Sequence, residues 1–278
     1  MLKRILVGVV FLPIVFVVLF VLPPVWTMIM VSLITSLAAY ELLRATKVAH
    51  HNRMYFYTSL CAGLIPVGCF LAQSAVRISM MVSILLCGLL LMCAMFFEAI
   101  IRFDSEDSIP LEHLMVCLFA GAVIPAFLSC LLQLRMQENG NYLVMLPIIS
   151  AFLTDTGAYF VGMFFGRHRG ITKVSPNKSL EGYIGGIVFG ALFMLLYGVI
   201  LQKYAGLSVA LPVMAVYGLF GSAVTELGDL SFSLIKRQYG VKDYGDLLPG
   251  HGGMLDRFDS MIFAAPALWA MFELFPAF

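Results

Sequence analysis

The sequence predicts an all-α polytopic integral membrane protein with about nine transmembrane helices. Hydrophobic residues make up 61% of the chain and charged residues only 12%. An ordinary soluble domain carries about 25% charged residues, so the polar residues here are too few to coat a globule. Apolar stretches of bilayer length recur along the chain, a hydrocarbon core of about 30 Å requiring roughly 20 residues of helix. Lys and Arg fall mostly in every second loop, as they do when cytoplasmic loops retain the positive charge.

The spans follow in order. The first, 5–22, resembles a signal peptide, but Leu22-Pro23-Pro24 offers no small-residue cleavage site and a second span follows at once. It is therefore expected to stay in the membrane. Spans at 25–43, 55–73, 78–101 and 111–132 complete a set joined by short loops with few charges. Spans at 142–165, 183–201, 207–227 and 260–277 enclose almost every unusual polar residue. The chain reads as one membrane-embedded domain over 1–278, with N-terminal helices over 1–140 and the catalytic portion over 141–278.

Orientation comes from the cations. One side holds fourteen, from Lys3, Arg4 and Arg44 through Arg167, Arg169, Lys173, Lys178, Lys236, Arg237, Lys242 and Arg257. The other holds Arg77, Arg135 and Lys203. The N-terminus and the polar loops 166–182 and 228–259 are thereby expected in the cytoplasm, where nucleotides are. Cys61, Cys69, Cys87, Cys93, Cys117 and Cys130 lie in or beside apolar stretches without a CxxC pair. They read as buried free thiols, with a disulfide among them still open and a zinc cluster disfavoured. The net charge of +1 says little about partners, and no nucleic acid is expected among them.

The stretch Glu226–Asp259, ELGDLSFSLIKRQYGVKDYGDLLPGHGGMLDRFD, is dense in acids, bases and glycines. As a helix, Glu226, Asp229, Ser233 and Arg237 share one face that can line a polar cleft. A solvated amphipathic surface helix is the plainer reading of that run alone. Beyond it, Gly250, Gly252 and Gly253 surround His251 and permit close backbone approach to phosphate. Asp256 and Asp259, three residues apart, suit a Mg²⁺ ion completed by phosphate oxygens, or simply the positive end of a helix dipole. Asp243 and Asp246 lie close by in sequence. His251 is assigned as a phosphate contact, although a histidine beside glycines also suits a metal ligand or a hydrogen-bonded loop residue.

The loop GRHRGITKVSPNKSLEGYIGG carries Arg167, Arg169, Lys173 and Lys178. Four cations satisfy the positive-inside pattern, and they also suit a grip on lipid or nucleotide phosphate. Ser175-Pro176 has the chemistry of a helix start. Gly182, Gly186 and Gly190 recur every four residues, as close helix packing requires. Asp155 lies mid-span, where a carboxylate costs a few kcal/mol, and is read as part of a functional polar cavity. Glu41 and Glu98, near the ends of their spans, read as snorkelling surface acids.

Ser233-Leu234-Ile235-Lys236-Arg237, Lys242-Asp243, Pro249-Gly250-His251-Gly252-Gly253 and Asp256-Arg257-Phe258-Asp259 together resemble the defining motif of the phosphatidate cytidylyltransferases. The resemblance extends upstream through Asp155-Thr156-Gly157-Ala158-Tyr159 and Ser175-Pro176-Asn177-Lys178-Ser179-Leu180-Glu181-Gly182, and no position departs from the pattern. It implies a polytopic helical enzyme of phospholipid biosynthesis, homodimeric, with a cavity open to cytosol and lipid, while the single compact chain with its basic start suits a bacterial inner membrane. It would transfer CMP from CTP to phosphatidic acid, giving CDP-diacylglycerol and pyrophosphate. The catalytic set implied is Asp229, Lys236, Arg237, Lys242, Asp243, Asp256, Arg257 and Asp259. Substrate contacts are expected from Asp155, Ser175, Lys178, Ser179, Glu181, Ser233, His251, Gly252 and Gly253. Mg²⁺ is expected on Asp229, Asp256 and Asp259, with a second cation also compatible.

Three other readings compete. A transporter would use Asp155 and the glycine-rich helices, but has no need of the HGG and DRFD stretch. A CDP-alcohol phosphotransferase would carry a DG-xx-AR run, which is absent. A cytidylyltransferase for a different lipid phosphate is the third.

Overall fold

In lipid a segment must satisfy its own backbone hydrogen bonds, and long apolar stretches accordingly form helices throughout the computed structural model. It describes residues 13, 15–49, 51–76, 79–104, 108–170, 172–247 and 252–278. Its helices are α1 (Pro24–Thr46), α2 (Asn52–Leu71), α3 (Met80–Ile101), α4 (Leu111–Met136), α5 (Met145–Phe165), α6 (Leu180–Ile200), α7 (Leu211–Gln238) and α8 (Leu255–Leu274). The described residues contain no strand beyond an isolated bridge pairing Arg169 with Ser179.

Seven helices, α1 to α7 with their short extensions, are long and apolar enough to cross a membrane among the described residues. Half of the expected first span, residues 5–12 and 14, falls outside the described residues, and the rest includes a π-helical turn over Val17–Val21. The expected ninth corresponds to α8, which is not among the seven because its first turns carry Asp256, Arg257 and Asp259. The count of nine is therefore not confirmed among the described residues.

The chain divides into two compact units. One comprises Met1–Asn141 with Tyr239–Phe258, the other Tyr142–Gln238 with Asp259–Phe278. In the first, α1 packs on α2, α2 on α3, and α4 on α1 and α2. Thr35 Oγ1 donates to Ala62 O at 2.8 Å and Ser36 Oγ to Ser59 O at 3.0 Å, linking α1 to α2. Arg135 is buried and donates to Leu22 O at 2.7 Å.

Two acids of this unit differ from expectation. Glu41 and Glu98 do not snorkel; both are buried. Glu98 is held by Arg53 at 3.3 Å and Arg102 at 3.1 Å, while Glu41 accepts the backbone N–H groups of Met254 and Leu255. A buried carboxylate is tolerable when paired or hydrogen-bonded in this way. The cysteines are all free, as expected, and Cys61, Cys69, Cys117 and Cys130 are buried. Cys93 is instead exposed and Cys87 half-buried, because α3 presents most of its surface outward.

In the second unit α6 packs against α5 and α7. Its small residues make this close: a Cβ on Gly186 would stand 2.9 Å from Thr154 O, and one on Gly190 would meet Ser222 Oγ and Thr154 Oγ1. The four-residue glycine repeat is thus a packing seam. Hydroxyls tie α5 to α7, Thr154 Oγ1 donating to Ser222 Oγ at 2.7 Å and Ser150 lying 3.3 Å from Thr225. Beyond residue 259, α8 lies on α7 through the Phe232 and Phe263 rings, whose centroids are 6.4 Å apart, with Gly228 against Phe263.

Overpacking a tight interior site costs typically about 1–3 kcal/mol. Gly190→Ala is expected to lower the thermal unfolding midpoint in detergent, whereas Gly206→Ser, at a site where a Cβ meets nothing within 4 Å, tests strain at positive φ alone.

Candidate active site

The second unit holds a cavity of about 490 Å³, within the usual range for ligand pockets. Asp155 and Tyr159 reach it from α5, Asp229 from α7, and Arg169, Asn177, Lys178 and Ser179 from the loop before α6. Ala158, Met163 and Gly162 give it an apolar side.

The loop is shaped by its own polar chemistry. Ser179 is extended and its Oγ accepts the Gly182 N–H at 3.1 Å, so Ser179 caps α6. The expected helix start at Ser175-Pro176 is not used. Those residues lead into a turn in which Lys178 N–H donates to Ser175 O at 3.2 Å, which delays the helix until Ser179. Glu181, in the first turn of α6, accepts from the Arg167 and His168 amides and meets His168 Nδ1 at 2.6 Å. It braces the loop and does not line the cavity.

Lys178 is the electrostatic centre. Its Nζ stands 2.8 Å from Glu226 Oε2 and 2.6 Å from Asp229 Oδ2, and 5.2 Å from the Tyr183 ring centroid. Burial disfavours its charge, but the two carboxylates outweigh burial and hold the ammonium above the ordinary lysine pKa. The cation therefore persists at neutral pH, and its share of stability is lost only as pH rises past its raised pKa. Glu226 Oε1 is buried with no hydrogen-bond partner among the described residues. A single orphaned oxygen beside a fixed cation is an acceptor left without a hydrogen bond.

Further along, Lys236 Nζ lies 3.8 Å from Asp259 Oδ2, both side chains largely buried. Asp259 Oδ1 also accepts the Ser260 N–H at 2.8 Å. Arg237 donates to Val174 O at 3.4 Å, and Ser233 is half-buried on α7.

The remaining motif residues belong to the first unit. Lys242, Asp243 and Arg257 are exposed. Asp256 Oδ2 accepts from the Tyr244 amide at 2.8 Å and the Gly253 amide at 3.0 Å. Gly252 has φ +81°, a conformation that favours glycine. His251 lies outside the described residues.

Among the described residues, no three Asp, Glu, His or Cys side chains converge on one metal-sized position. The carboxylates of Asp229 and Asp259 have the chemistry that suits a hard divalent cation whose other ligands are water and phosphate oxygens. Sequence reasoning placed Glu226 on the Asp229 face without giving it a role. The spacing of three residues was the available signal; its ion pair with Lys178, 48 positions away, was not.

With this geometry in view, the family comparison is decisive. The model of the cytidylyltransferase family matches residues 2–275. The chain belongs to that family. It is 32% identical over 252 residues to the phosphatidate cytidylyltransferase of Thermotoga maritima, covering 88% of this chain and 87% of that one. It is 40% identical over 141 residues to the Bacillus subtilis phosphatidate cytidylyltransferase, covering 51% of each. For the Mycobacterium bovis protein of the same name the values are 36% over 167 residues, 60% and 53%. The chain thus spans about half the length of the Bacillus and Mycobacterium relatives it matches and most of the Thermotoga one.

Breaking a buried ion pair by removing one partner costs roughly 3–5 kcal/mol. Lys178→Met in this cytidylyltransferase-family member is expected to lower the unfolding midpoint, and Lys178→Met with Glu226→Gln to recover much of it. Thermal scans of the two variants beside the parent decide this.

Proposed function

We propose that this chain transfers CMP from CTP to phosphatidic acid, giving CDP-diacylglycerol and pyrophosphate, at the cytoplasmic face of a bacterial inner membrane. The observation that carries the reading is Lys178, fixed between Glu226 and Asp229 in a cavity with a polar end and an apolar side. A phosphate on a lipid needs both environments. The names of the relatives support the substrates, their bacterial sources the membrane, and the Lys and Arg distribution the orientation. A homodimer rests on the family resemblance alone.

The reaction joins two polyanions. An oxygen of the phosphatidate phosphate forms a bond to the α-phosphorus of CTP, and the bond from that phosphorus to the bridging oxygen of pyrophosphate breaks. A phosphate monoester with a second pKa near 6 is already largely dianionic at neutral pH, so the chain need not supply a general base. What it must supply is positive charge and alignment. Lys178 and Arg169 face the cavity and are assigned to phosphate oxygens. Glu226 and Asp229 hold the Lys178 ammonium in place, and Lys236 neutralises Asp259 until substrate arrives.

Asp229 and Asp259 would hold Mg²⁺ together with water and substrate phosphate oxygens. When bound it would supply charge neutralisation to the departing pyrophosphate. Asp256, whose carboxylate is engaged by two backbone amides, is assigned to shaping the motif loop. Lys242, Asp243 and Arg257 keep the catalytic roles that the resemblance implies.

Purified protein in detergent should release pyrophosphate from CTP only with phosphatidic acid and Mg²⁺ together. Asp259→Asn should lower turnover at least about 100-fold, since metal-assisted charge stabilisation is worth several kcal/mol. No release from folded protein with any of several lipid phosphates would overturn the reading, and flux of an ion without CTP consumption would point to transport.

A further inference from the structure

Glu41 lies in α1, remote in sequence from every motif residue, and its side chain is buried. Its Oε1 accepts the Met254 N–H at 2.9 Å and its Oε2 the Leu255 N–H at 2.8 Å. These amides open α8, so the carboxylate sits as an anion at the positive end of that helix and satisfies two donors that have no intrahelical partner.

Two glycines permit the approach. A Cβ on Gly245 would stand 2.7 Å from Glu41 Oε1, and a Cβ on Gly253 would overlap Oε2. The carboxylate is thus gripped by backbone from both arms of one loop. Asp256 closes that loop on itself through the Tyr244 and Gly253 amides. Arg44, three residues after Glu41, adds a solvent-exposed pair to Asp246 at 3.8 Å, an interaction of little strength by itself.

The segment so held, Tyr239–Phe258, groups with the N-terminal helices and carries Lys242, Asp243, Gly252, Gly253, Asp256 and Arg257 of the signature motif. Placing a carboxylate in a membrane-spanning helix is unfavourable. An apolar side chain would fill the same volume without that cost but would leave the Met254 and Leu255 amides unpaired.

We propose that Glu41 is a positioning residue for the reaction: it fixes the backbone of the Gly252–Arg257 motif segment in the conformation that turnover requires. This rests on the cytidylyltransferase reading for its kinetic consequence only. A misplacement of about 1 Å at a reacting group is worth on the order of 100-fold in rate.

Two measurements test it on the full chain in detergent. In pyrophosphate release, Glu41→Ala should lower kcat about 10- to 100-fold, with KM for CTP changed by less than about threefold. Glu41→Gln, which keeps one acceptor oxygen, should recover part of the loss. Gly245→Ala should reproduce it by displacing the carboxylate, and the double variant Glu41→Ala with Gly245→Ala should be no slower than Glu41→Ala, as residues acting through one contact are not additive. Wild-type kcat in folded Glu41→Ala, or losses that multiply in the double variant, overturns the proposal.

Amide hydrogen exchange over Tyr244–Arg257 reads the clamp without reference to turnover. Protection lost there in Glu41→Ala, with α5 and α6 unaffected, supports the clamp; unchanged protection overturns it. Absence of pyrophosphate release from the parent protein would instead overturn the cytidylyltransferase reading and leave the exchange result to decide the clamp.

Discussion

Charge inside a membrane has to be compensated where it sits, and that constraint organises this protein. A bilayer interior offers no water to an isolated carboxylate or ammonium. Carboxylates of the helices are accordingly found in local sets: Glu226 and Asp229 on Lys178, Asp259 against Lys236, Glu98 between Arg53 and Arg102, and Glu41 on two backbone amides. The first two sets belong to the unit that holds the cavity, and there compensation is incomplete, since one oxygen of Glu226 has no hydrogen-bond partner among the described residues.

The helices reach these arrangements through small residues and hydroxyls. In lipid the attraction between apolar helices comes from packing, because hydrocarbon chains compete equally for large apolar side chains. Gly182, Gly186 and Gly190 bring α6 against α5, and the Thr154–Ser222 contact joins α5 to α7. The seam therefore has a chemical consequence. Asp155, Asp229 and Glu226 stand on helices drawn close by glycine, while the loop ending at the Ser179 cap delivers Lys178 to them.

Asp256 and Glu41 show a carboxylate used differently. Each accepts backbone amides, so each sets the path of the chain. The DRFD run thus divides its labour: Asp256 acts on the loop that precedes it and Asp259 faces Lys236. Family membership, established by the match over residues 2–275, accounts for the motif as a whole without distinguishing these two roles.

The sequence by itself determined the membrane class, the positions of six of the seven helices within a few residues, the packing role of the glycine repeat and the family; α7 runs on to Gln238, where the span was expected to end at 227. Each of these depends on composition, period or spacing along one segment, which a linear reading contains. It also marked Asp155 as a carboxylate mid-span, Lys178 as one of four loop cations and Asp229 as part of a polar helix face, and the three line one cavity. The tertiary structure alone decided partners. Glu41 and Glu98 looked like surface acids because they stand near helix ends, yet both are buried, since Met254 and Leu255 lie more than two hundred residues from Glu41 and Arg53 is 45 from Glu98. The Ser179 cap overrode the Ser175-Pro176 signal because a turn intervened. A carboxylate announces its cost in the sequence, but what offsets that cost arrives from another segment, and only the fold brings the two together.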